Sequence, residues 1–127
     1  MLRKIGFTLL LAASAISTSA YSIPTHTLIR GLTLEYNLPP NQPQMFVNFM
    51  FWNVEANCKI FTVDASNDLF TEIINRKATI NDMSLTEGQS IVVKVEQGQN
   101  LKIGAESGAK VKITNLGQSN VKAVCST

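Results

Sequence analysis

Ile91-Val92-Val93-Lys94-Val95-Glu96-Gln97-Gly98-Gln99-Asn100-Leu101-Lys102-Ile103-Gly104 decides the fold class. Ile91, Val93 and Val95 alternate with Val92, Lys94 and Glu96. A turn cluster follows at Gln97–Asn100, and Leu101 and Ile103 then flank Lys102. The texture continues to the C-terminus. Val111 and Ile113 alternate with Lys110, Lys112 and Thr114; after Asn115-Leu116-Gly117-Gln118, Val121, Ala123 and Cys125 alternate with Lys122 and Val124. Successive strand side chains point to opposite faces, so period-two patterning describes strands with one apolar and one wet face. Repetition at about ten-residue spacing predicts an antiparallel sandwich or barrel. An all-β, immunoglobulin-like β-sandwich of about seven strands is the expected architecture.

Upstream the pattern is less regular. Thr27–Tyr36 carries Leu28, Leu32, Leu34 and Tyr36 at even spacing, and Pro39, Pro40 and Pro43 then break the ladder. Met45-Phe46-Val47-Asn48-Phe49-Met50-Phe51-Trp52 is apolar on both faces and reads as a strand buried on both sides or covered by a partner. Asn53–Asn57 is expected to interrupt pairing before a strand at Cys58–Ala65, with Ser66-Asn67-Asp68 as a turn. Leu69–Lys77 suits a short helix capped by Asp68, but its Phe70, Thr71, Ile73 and Ile74 favour a strand.

The N-terminus reads as an address. Arg3 and Lys4 precede the apolar run Ile5–Ala13, and small residues follow to Ala20. This is a signal-peptide pattern, too short to span a bilayer. The expected organisation is a signal peptide at 1–20 and one β-sandwich domain at 21–127, exported to the periplasm or beyond the cell and not integral to the membrane. The net charge of +2 over 127 residues then changes. Loss of Arg3 and Lys4 from the eleven basic residues leaves nine against nine acidic ones. The full sequence is 45% apolar and 16% charged, which excludes bulk disorder, and a chain left neutral is not expected to bind nucleic acid.

Cys58 and Cys125 are the only thiols. In an oxidising compartment an even count reads as a disulfide. Each shares parity with apolar neighbours, so both are expected to face the core.

Motifs for chemistry are absent: no Gly-x-Ser-x-Gly elbow, no phosphate-binding glycine loop, no His-Glu-x-x-His. No catalytic residue, metal site or cofactor is expected. The lone His26 reads as solvated, and Asp64, Asp68, Glu72 and Asp82 as loop carboxylates. Two surface features remain. Lys94, Lys102, Lys110, Lys112 and Lys122 each oppose the apolar parity of their strands, so they are expected to share a wet side. That side is a patch for an anionic partner or an ordinary solvated face. Phe46, Phe49, Phe51 and Trp52 read as core; if half of them are exposed, they become an apolar interface for a sugar, peptide or partner strand.

Gly108-Ala109-Lys110-Val111-Lys112-Ile113-Thr114-Asn115-Leu116-Gly117, with Val124-Cys125-Ser126-Thr127, resembles the tail of small exported β-sandwich proteins of gammaproteobacterial pathogens. The resemblance implies export and a two-layer β fold, and transfers no catalytic residue. The expected function is a non-enzymatic exported binding protein for an unidentified protein or glycan, with a secreted host-directed factor as one form of it. The alternatives are a structural or accessory subunit of an envelope assembly and a small secreted hydrolase.

Overall fold

The structure is a computed structural model that describes residues 23–28 and 33–127. The signal-peptide reading of residues 1–20 lies outside them. Eleven strands form two sheets, and no described residue is helical. One sheet has the order β1 (Thr25–Thr27), β3 (Gln44–Val47), β10 (Lys110–Asn115), β5 (Ser66–Asn75), β8 (Ser90–Glu96). The other has the order β2 (Thr33–Leu38), β11 (Val121–Ser126), β4 (Val54–Thr62), β9 (Asn100–Ala105), β6 (Lys77–Ile80), β7 (Met83–Thr86). All pairs are antiparallel except β1 with β3.

Consecutive strands lie in opposite sheets at every step except β6–β7. The turns are therefore arches that carry the chain across the core. Only β6–β7 is a hairpin; its two turn residues, Asn81 and Asp82, both have positive φ (49° and 68°), which matches the twist of the flanking strands. Loops gather at two ends. One end carries residues 48–53, Arg76, 87–89 and 106–109; the other carries 39–43, 63–65, 97–99 and 116–120.

The alternating residues meet between the sheets as expected. Leu69, Ile73, Val93, Val95, Val111 and Ile113 from one sheet share a core with Val54, Ile60, Leu101, Ile103, Val121 and Ala123 from the other. Cys58 and Cys125 are bonded and lie directly opposite each other in β4 and β11, both buried. The bridge thus ties two neighbours within one sheet, and it secures the last strand.

Several boundaries differ from expectation. There are eleven strands, not about seven, because short strands such as β6 and β7 carry too few alternations to register. Leu69–Lys77 is mostly strand, as part of β5. Ser66–Asp68 opens that strand and is not a turn. Its turn-like composition serves a buried network: Thr62 Oγ1 donates to Asn67 Oδ1 (2.7 Å), and Asn67 Nδ2 donates to Asn115 Oδ1 (3.3 Å). β4 runs unbroken through Asn53–Asn57 from Val54 onward, with Val54, Ala56, Cys58, Ile60 and Thr62 all inward. The break falls earlier, at Asn48.

Candidate functional site

The apolar run divides at Asn48. Gln44–Val47 pairs in β3 and buries Phe46 and Val47; residues 48–53 then leave the sheet as a loop. Asn48 is fully buried and holds this loop from inside. Its Nδ2 donates to Trp52 O (2.8 Å) and to Ala105 O (3.0 Å), and its Oδ1 accepts from Met50 N (2.9 Å). The main chain of Asn48 donates to Ala109 O (3.1 Å) and accepts from Gly108 N (2.8 Å). Ser107 Oγ closes the frame by donating to Met50 O (2.6 Å). A short polar side chain that hydrogen-bonds the backbone two residues on is a turn device, and here it overrides the strand propensity of the residues around it.

The consequence is exposure. Phe49 is 63% accessible, Phe51 93% and Trp52 46%, while Met50 packs partly against the core. Three of the four aromatics expected in the core are therefore on the surface; only Phe46 is inside. No charged residue occurs between Glu35 and Glu55, so the loop and its approach are electrically neutral.

His26 is not solvated. Its ring lies 5.1 Å from both Tyr36 and Phe46, and its Nε2 is 2.9 Å from Gln44 Oε1. The cluster packs β1 against β2 and β3 where the two sheets meet at an edge. Burial raises the Tyr36 pKa above the ordinary phenol value.

The five lysines do not share a surface. Lys94, Lys110 and Lys112 stand on one sheet, Lys102 and Lys122 on the other. Arches send alternate strands to opposite sheets, so side chains of one parity point away from the core in opposite directions. Three are paired: Lys112 with Glu72 (3.3 Å), Lys102 with Asp82 (3.4 Å) and Lys122 with Glu35 (3.8 Å). Lys94 lies on the edge strand β8, where a charge discourages edge-to-edge association. The sequence reading missed Lys59, which with Lys122 lies over the Phe61 ring (5.9 and 5.4 Å). It also missed Asn48, whose one signal is a lone amide inside an apolar run.

Among the described residues, no group of three or more His, Cys, Asp or Glu side chains is placed to hold a metal, and no helix is long and apolar enough to cross a membrane. No protein-family model, curated protein or solved structure matches the chain.

Proposed function

We propose that this chain is an exported, non-enzymatic binding protein that docks a macromolecular partner through the aromatic loop at residues 48–53. The observation that carries the reading is a fully buried asparagine holding Phe49, Phe51 and Trp52 in water. Aromatic side chains of ~150–250 Å² each, at these exposures, present roughly 300–400 Å², the size of a functional patch on a soluble domain. Complete burial of that area is worth at most about 10 kcal/mol before the costs of association. Because the loop is already ordered, little of that gain is lost in arranging it.

Export is supported by the disulfide, a bond that persists in oxidising compartments, and by the basic and apolar runs before Ala20. The immunoglobulin-like class belongs to the same proposal, supported by two sheets whose hydrogen-bonded neighbours are distant in sequence.

The test compares the protein with a Phe49→Ser/Phe51→Ser/Trp52→Ser variant of unchanged fold by far-UV circular dichroism. Partners captured by the immobilised protein should be lost by the variant. Equal capture by both would refute the loop as the docking element.

A further inference from the structure

Next to the aromatic loop, the outer face of the second sheet is hollowed. Two adjoining depressions of ≈ 270 Å³ and ≈ 590 Å³ share Asn53, Val54 and Glu55. In the first, Glu55, Gly104, Thr79 and Ser84 lie in register across β4, β9, β6 and β7. The second adds Asn57 and Ser126, paired across β4 and β11. Gly104 sits beneath the Thr79 hydroxyl, which packs over the strand where a side chain would otherwise stand; a Cβ there would run into Thr79 Oγ1.

We propose that this trough binds a neutral oligosaccharide, with the aromatic loop as its apolar flank. The inference rests on the docking role of that loop and names the class of ligand.

Three observations select the ligand. First, the side chains of Asn53, Asn57, Thr79, Ser84 and Ser126 have no hydrogen-bond partner among the described residues. Amides and hydroxyls both donate and accept, as sugar hydroxyls require. Second, Glu55 and Glu106 outnumber Lys77 in the first depression, which disfavours phosphates and acidic glycans. Third, β4, β9 and β6, which carry most of the lining, are paired on both sides, so a peptide strand finds a free backbone edge only at the rim, along β7. Trp52 immediately precedes Asn53, and the negative face of an indole suits the C–H face of a sugar ring. The volumes fall near the ~300–1,000 Å³ range of small-molecule sites.

Trp52 is the only tryptophan, so its emission reports directly on the loop. The disulfide-bonded protein is titrated with chitotetraose, maltotetraose and cellotetraose, with tetragalacturonate as the acidic counterpart. At least one neutral tetrasaccharide should give a saturable change in Trp52 emission, and tetragalacturonate should not compete. Glu55→Gln and Asn57→Ala, both on exposed positions, should each weaken binding roughly 3–10-fold, the loss expected for one hydrogen bond. Absence of binding by all three neutral sugars up to ~10 mM would overturn the proposal. Binding that neither substitution weakens, or a preference for tetragalacturonate, would also overturn it.

Vesicles of phosphatidylethanolamine and phosphatidylglycerol form the last arm. If they bind in a Phe51-dependent way while the sugars do not, the saccharide proposal fails and the loop keeps its docking role. If neither sugars nor vesicles bind and the triple serine variant captures the same partners as the protein, both readings fail.

Discussion

Replacing Asn48 with alanine removes the one side chain that converts an apolar run into an exposed loop. Three hydrogen bonds disappear: two donated by Nδ2 to Trp52 O and Ala105 O, and one accepted by Oδ1 from Met50 N. Water can reach the half-exposed end of the loop and replace part of this loss. The bond to Ala105 O is buried, so that carbonyl is left without the partner, at ~1–3 kcal/mol. With ~0.5–1.5 kcal/mol for each of the other two, partly recovered by hydration, the expected total is about 3 kcal/mol. Against a typical domain stability of ~5–15 kcal/mol this is a large fraction. Urea unfolding followed in parallel by Trp52 emission and far-UV circular dichroism measures it. The folded Asn48→Ala protein should also show altered Trp52 emission, since the carbonyl of that residue loses its tether. Asn53→Ala, on an exposed neighbour with no side-chain hydrogen bond among the described residues, should stay within ~0.5 kcal/mol of the parent. A loss below ~1 kcal/mol for Asn48→Ala, with unchanged emission, would refute the claim that this residue builds the loop.

Three further outcomes are expected. The Cys58–Cys125 bridge spans 67 positions, and its loss in the Cys58→Ala/Cys125→Ala protein should cost up to about 4 kcal/mol by loop-closure entropy; an unchanged urea midpoint would contradict this, as would two free thiols in the native protein. Gly98 and Gly108 share φ of +80°, but a Cβ at Gly108 would lie 2.9 Å from Arg76 Nε while one at Gly98 meets nothing. Gly98→Ala should therefore cost ~1–2 kcal/mol for the left-handed backbone, and Gly108→Ala more, with the excess relieved by Arg76→Ala; equal costs in thermal unfolding would argue against the Arg76 contact. Burial raises the Tyr36 pKa, so the folded state keeps its phenol proton to higher pH than the unfolded chain. Tyr36 thus contributes stability that is full below pH ~10 and lost as pH rises through its folded value. Tyr36→Phe should flatten the alkaline part of the stability profile, and an identical slope in both proteins would remove the effect.

The two ends of the sandwich use buried asparagines in contrasting ways. At one end Asn115 Nδ2 donates to Leu38 O and Ser119 O, while its Oδ1 accepts from Gly117 N and Asn67 Nδ2, so the loops are drawn inward around polar atoms. At the other end Asn48 turns the same chemistry to presenting aromatics. No buried side-chain polar atom among the described residues lacks a partner. Both networks are therefore complete, and each removes freedom from a loop that would otherwise fluctuate.

The alternation from Ile91 to Cys125 was enough to establish the all-β class, the inward side of each C-terminal strand and the burial of Cys125, while the burial of Cys58 followed from its shared parity with Val54 and Ile60. Those properties depend on the twofold period of a strand, which is local and written residue by residue. Sheet membership was not legible. A turn of three or four polar residues serves a hairpin or an arch equally, and only packing of the whole core decides which. That choice separated the five lysines, since one parity on alternating sheets points to opposite sides of the molecule. The aromatic loop escaped for a related reason. Phe49, Phe51 and Trp52 have the composition of a core strand, and their exposure depends on contacts made by Asn48 to Ala105 and Ala109, some sixty residues away. Hydrophobic patterning is a property of the chain; the partners of a buried polar group exist only once distant strands have met.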